Sequence, residues 1–331
     1  MPITRRATLA TTPALALLAA TGPAARGQTR WQMASAYPDG NFHTRNIREF
    51  LAEVERATGG RLAVQLHSNA SLLPMPQIKR GVQQGQVQMG EILLTAYSNE
   101  DPFLDVDAIP FLVTTYPEAK RLSDLQRPYV EARFGRQGLA LLTMIAWPPA
   151  GFYTQVPFTG VEVLKGSRFR TFSPMSNRFA ALVGANPVLV QQAELAQAFA
   201  TGIATAMVTS AQTGVDTSAW DYAKVFTPAG FSMTKNAVIV SRRAFEGLPA
   251  DQRQAVLEAA RRAEERGWRL SEESNTEAER RLRERGLTIG SVPPEAMAEL
   301  KRISATMTEE WVARTGEDGR KLVDALRAAA G

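Results

Sequence analysis

The stretch from Lys165 to Thr209 constrains the fold more than any other part of the chain. In Arg168-Phe169-Arg170-Thr171-Phe172, basic or hydroxylated positions alternate with aromatic ones, the period-two pattern of a half-buried strand. Ser173-Pro174 breaks that ladder, an apolar helix is expected over Phe179 to Val183, and Gly184 closes it. Asn186 to Val190 then resumes as a second strand. Strand, helix and strand in this order are the unit of a parallel sheet, whose ligands gather at the carboxyl ends of the strands. Arg170, near such an end and beside a Ser-Pro turn, is well placed to meet an anion, although an arginine on a strand edge facing solvent has the same local sequence.

The same alternation recurs upstream. Strands are expected over Arg30–Ser35, Leu62–His67 and Val87–Ile92, with helices around Ile47–Val54 and over Pro76–Gln84, the order of a doubly wound lobe. A helix follows from Tyr116 to Gly138, and Leu139 to Ala146 is apolar enough for a strand buried on both faces. Trp147-Pro148-Pro149-Ala150-Gly151-Phe152-Tyr153 suits a stiff crossing between two lobes, its aromatics lining a cleft. Ile203 to Val208 reads as a strand and Thr209 to Gly214 as a loop, whose Thr209, Ser210 and Gln212 either donate to a ligand or are simply solvated. Ala237 to Ser241 is a buried strand, and a long helix over Pro249–Arg285 carries mixed charges at i to i+4 spacing on a solvated face. A short strand (Leu287–Val292) and a helix from Pro294 onward complete the chain.

KGSRFR, then LVGANPV, then AFATGIATAM resemble the signature region of the DctP-type solute-binding proteins of TRAP transporters, and the likeness extends over essentially the whole chain after residue 27. The resemblance implies a two-lobed α/β periplasmic-binding fold, each lobe a mixed, mostly parallel sheet flanked by helices, with the long helix bracing both. Lobe I is then expected from 28–148 plus 237–272, lobe II from 149–236 plus 286–331, and the bridging helix from 249–285. It further implies capture of a small organic acid between the lobes and delivery to TRAP membrane subunits, with Arg170 clamping the carboxylate. Two departures bear on the ligand. Family members of the best-known branch carry a second arginine in a Gly-Phe-Arg context, where this chain has Gly151-Phe152-Tyr153, and an Asp-Gly-x-x-Asn-Pro stretch, where it has Thr205 to Ser210. A charged, amide-bearing pocket has become an aromatic and hydroxyl-bearing one, so a highly polar sugar acid is not expected. Arg170, Thr209, Ser210, Gln212, Phe152, Tyr153, Phe172 and Trp147 are the expected ligand contacts, and His43, just after the first strand, is placed to join them.

Composition excludes other chemistries. Arg5-Arg6, the apolar run Leu9 to Ala20 and the small residues near Gly27 form an export signal over residues 1–27. A general secretory route is expected, since Thr8 and Ala10 stand where a twin-arginine signal carries Phe and Lys. That segment holds three arginines and no acid, so the net charge of +5 falls to +2 after residue 27 and speaks against nucleic acid or membrane lipid as a partner. The later chain has no run near the roughly 20 apolar residues that span a bilayer. With no cysteine there is no disulfide, thiolate metal site or thiol nucleophile. Two histidines, His43 and His67, stand far apart, and no nucleophile elbow, phosphate loop or dinucleotide fingerprint occurs, so neither metal nor cofactor nor catalysis is expected. A ligand-sensing partner of a signalling receptor would share the fold, and an exported enzyme is the remaining alternative.

Overall fold

The computed structural model describes residues 27–328, so the expected export signal lies outside the described residues but for Gly27. Two mixed sheets flanked by helices form two lobes. The first holds β1 (Thr29–Ala34), α1 (Phe42–Ala57), β2 (Leu62–His67), α2 (Met75–Gln83), β3 (Met89–Leu93), α3 (Tyr116–Arg136) and β4 (Leu139–Ala146). The chain then crosses into β5 (Ala150–Thr154), β6 (Arg168–Thr171), α4 (Pro174–Leu182), β7 (Asn186–Leu189), α5 (Leu195–Ala200), β8 (Ala206–Ser210), α6 (Ala211–Asp216) and β9 (Val225–Pro228). It returns through β10 (Lys235–Ser241), α7 (Arg242–Glu246), the 35-residue α8 (Ala250–Glu284), β11 (Thr288–Ile289) and α9 (Pro294–Ala328).

The first sheet has the order β2-β1-β3-β10-β4 and the second β11-β9-β5-β8-β6-β7. β1 lies parallel to β2 and β3, and β6 parallel to β7 and β8. The antiparallel members are β5 and β10, the two strands that follow a crossing. Their approaches run side by side: the amide of Trp147 donates to the Thr234 carbonyl at 2.7 Å, Ala150 to Ser232 at 3.0 Å and Phe231 to Ala150 at 2.9 Å. The crossing is shorter than its aromatic composition suggests. Only residues 147–149 are irregular, and Phe152 and Tyr153 belong to the strand that begins at Ala150. The expected loop after Val208 is also regular, because Thr209 and Ser210 end β8 and Ser210 caps α6 through the amide of Thr213.

α8 packs on α1 and β4 in the first lobe and on α6 and β11 in the second. Its inward stripe is made of small residues, among them Ala259, Ala260, Ala263, Ser271 and Ala278. At Gly267 a β-carbon would collide with Ile145 and stand 2.8 Å from the Asn46 amide, so glycine is what lets the helix touch the sheet there. α9 turns at Gly316 (φ 66°) and lies against α3 and the Pro102–Ala108 turn of the first lobe as well as α4 of the second.

Candidate functional site: a cleft between the lobes

Arg170 is the third residue of β6, hydrogen-bonded between β7 and β8, and its neighbour Phe169 points into the apolar core. The pleat therefore turns Arg170 to the other face, into the cleft. Only 3% of it is exposed. Its Nε donates to the Val190 carbonyl at 2.9 Å, and the guanidinium carbon stands 5.2 Å from the centre of the Phe172 ring. Desolvation brings this arginine from 12.5 down to about 10, and no carboxylate among the described residues opposes the fall. Among the described residues, this buried cation is thus held in place by one of its five N–H groups and has no counter-ion.

The space it faces is a cavity of about 50 Å³, enough for roughly four waters or a small ligand. Its walls come from strand ends and both crossings: Tyr37 and Leu93 from the first lobe, Thr209, Ser210 and Gln192 from the second, and Trp147, Ser232 and Thr234 from the crossings. Arg170 is the one charged side chain among them. Of the residues expected from the sequence, Arg170, Phe172, Trp147, Thr209 and Ser210 meet here. Four do not. Phe152 is fully buried against Phe158, Phe179 and Phe231, while Tyr153 faces the opposite side of β5 and donates to the Ser210 carbonyl at 3.1 Å. Helices cover both faces of that sheet, so its aromatics fill cores. Gln212 sits on α6 and donates to Asp216 at 2.6 Å.

His43 lies beneath the cavity floor, with its ring between Phe42 and Trp147. Burial lowers it to about 3, so it is neutral, and its Nδ1 is 3.7 Å from Glu91. Glu91 anchors the floor. Burial pushes its carboxyl up to about 7, while hydrogen bonds from Ser35 (2.5 Å) and Asn236 (2.7 Å) pull it back. Asn236 in turn accepts from the Tyr37 hydroxyl at 3.2 Å and the Trp147 indole at 2.9 Å, which fixes both aromatic walls. Tyr37, Gln192, Ser232 and Thr234 are absent from the sequence-based expectation. Applying the strand-end rule to β1 and β7 would have found the first two, whereas the last two need the pairing of the crossings.

A larger, open groove between α3 and α8 is lined by charges already paired on its rim, including Arg127 with Glu264 and Lys120 with Asp124. No group of three or more potential metal ligands converges among the described residues. No helix among them is long and apolar enough to cross a membrane.

Comparison with known proteins agrees with this architecture. The family model for bacterial extracellular solute-binding protein, family 7 (DctP), matches residues 33–315. The extracytoplasmic solute receptors DctP6 and DctP7 of Bordetella pertussis, whose crystal structures are described as binding pyroglutamic acid, superpose with a TM-score of 0.89 each. DctP6 is 41% identical, over 91% of this chain and 100% of its own; DctP7 is 43% identical, over 90% and 99%. A solute-binding protein of Albidiferax ferrireducens is 25% identical over 229 residues, 66% of this chain and 66% of that protein, a little under two thirds of its length. The chain belongs to the DctP family of bacterial extracellular solute-binding proteins.

Proposed function

We propose that this protein is exported to the periplasm, captures a small monocarboxylic acid of the pyroglutamate type between its lobes, and hands it to the membrane subunits of a TRAP transporter. One observation carries the reading: Arg170 is a buried guanidinium aimed into the cleft, without a counter-ion among the described residues. A ligand carboxylate supplies that charge and can take two parallel N–H donors, which a lysine cannot offer. The absence of a second cation on the walls favours one carboxylate over two. Trp147, Tyr37 and Phe172 suit a flat ring, and the hydroxyls of Thr209, Ser232 and Thr234 suit the amide edge of a lactam. The two receptors described as binding pyroglutamic acid, both above 40% identity, make that acid the first to try.

A thermal-shift panel of pyroglutamate, other cyclic and keto monocarboxylates, succinate, hexuronates, neutral sugars and polyamines tests the reading. Ligand at 100 times its Kd adds about 2.7 kcal/mol to the native state. Stabilisation by cyclic monocarboxylates is expected; stabilisation by neutral sugars or polyamines alone would overturn the carboxylate assignment.

A further inference from the structure

Asp216, the last residue of α6, sits beside the cleft on the second lobe and is partly buried. Three amide side chains converge on its carboxylate, and no arginine or lysine forms an ion pair with it among the described residues. Its Oδ1 accepts from Gln212 at 2.6 Å, and its Oδ2 from Gln192 at 3.0 Å and from Asn41 at 2.6 Å. These donors come from different places. Gln212 belongs to α6 itself, Gln192 is a wall of the cavity, and Asn41 belongs to the other lobe.

Asn41 is fully buried, and its own carbonyl oxygen is occupied: Oδ1 accepts from the amide of His43 at 2.8 Å as the cap of α1. The cap fixes which way the side-chain amide points, leaving the NH₂ as a donor directed across the cleft. A carboxylate is the one side-chain group of this size that accepts on both oxygens and donates on neither, which is what three incoming N–H groups require. Tyr37, another cavity wall, lies four residues before Asn41 on the same connection.

We propose that Asp216 is the latch between the lobes, closing them over the ligand through Asn41 while aiming Gln192 into the cavity. The inference deepens the capture reading and rests on it for the identity of the ligand alone. Asp216 is a positioning residue here: it does not line the cavity, and it stabilises the closed arrangement that the ligand needs. Its contact with Asn41 exists only when the lobes are together, so its loss should speed release and leave encounter unchanged.

Two measurements separate the latch from a structural cap of α6. In the first, pyroglutamate binding is followed by intrinsic tryptophan fluorescence, with association and dissociation rates measured for the native protein, Asp216→Asn and Asn41→Asp. Each single variant should raise the dissociation rate by about 10- to 100-fold, the range for losing a hydrogen bond to a charged group. Association should change less than about threefold, since rates of encounter vary little among variants of one interface. The pair Asn41→Asp with Asp216→Asn exchanges donor and acceptor across the cleft and should recover part of the loss. In the second, the cysteine-free chain receives spin labels at Glu55→Cys and Ile203→Cys, one exposed site on each lobe, and interlobe distances are compared without ligand. Asp216→Asn should move the distribution to longer distances. If it leaves both the dissociation rate and the distances unaltered, the latch is refuted while capture stands. If no acid binds the native protein, the capture reading fails, and the spin-label distances alone decide the latch.

Discussion

Replacing Arg170 with methionine should make the ligand-free protein more stable and the ligand-binding protein useless. Burial holds the guanidinium at about 10 instead of 12.5, which corresponds to about 3 kcal/mol of unfavourable desolvation at about 1.4 kcal/mol per unit. Methionine removes that cost. It also removes the Nε hydrogen bond to Val190, worth about 1 kcal/mol, and the contact over Phe172, worth about another 1 kcal/mol. The balance is a gain of about 1 kcal/mol, seen as a rise in Tm of about 2–4 °C for a chain of this size. Binding moves the other way. A ligand carboxylate left buried and unpaired costs about 2–5 kcal/mol, or about 30- to 5,000-fold in Kd. Scanning calorimetry of the free protein and titration calorimetry with pyroglutamate read the two effects separately. A Tm that falls by several degrees would show that the native protein satisfies Arg170 without a ligand, and an unchanged Kd would place the carboxylate elsewhere; either result refutes the reasoning.

Three further outcomes follow from the same geometry. Asn236→Ala strips the acceptor shared by Tyr37 and Trp147, so pyroglutamate should bind about tenfold more weakly, with a stability loss of about 1–3 kcal/mol visible in urea titration. Stability should fall as pH rises from 6 to 8. Glu91 and Asp105, both raised to about 7 by burial, and Asp216, raised to about 6, hold protons in the folded chain that the unfolded chain has already released. Their contribution is complete below the ordinary carboxylate range and is lost through pH 6–7. His43, lowered to about 3, acts oppositely only below its ordinary 6.5, and Lys235, lowered by burial, is offset by its partner Asp107, which the same burial raises. A melting temperature that is level or rising from pH 6 to 8 would contradict this. Gly214→Ala brings a β-carbon to 2.7 Å of the Tyr153 ring, which is fully buried and cannot yield, so Tm should drop by several degrees; an unaltered Tm would mean that α6 shifts freely.

Much of the architecture was legible because burial imposes period and length. β2 and β4 run over the residues their apolar patterns mark out, and α8 begins one residue beyond its expected start. That Arg170 stands near a strand end and faces the cleft was legible for a different reason: the Ser-Pro turn marks the end of β6, and parallel strands carry their open clefts at such ends. Aromatics misled the reading, because Phe152 and Tyr153 alternate between two faces that are both covered, and sequence does not separate a core face from a cleft face. Gln212 looked like a loop residue because small polar side chains make caps and turns alike; the cap at Ser210 turns it toward Asp216. Asp216 and Asn41 are 175 positions apart, and nothing local in either segment announces the contact.

The place of β10 in the first sheet bears on how the chain reaches this state. It lies between β3 and β4, yet it is made of residues 235–241, after the whole of the second lobe up to β9. A chain emerging N-terminus first therefore cannot finish the sheet it starts first: until that segment arrives, β3 and β4 each keep an open edge. Sequence-distant pairing of this kind slows folding and makes the two lobes a single cooperative unit, so a fragment ending at Ala146 should collapse without acquiring native-like resistance to protease.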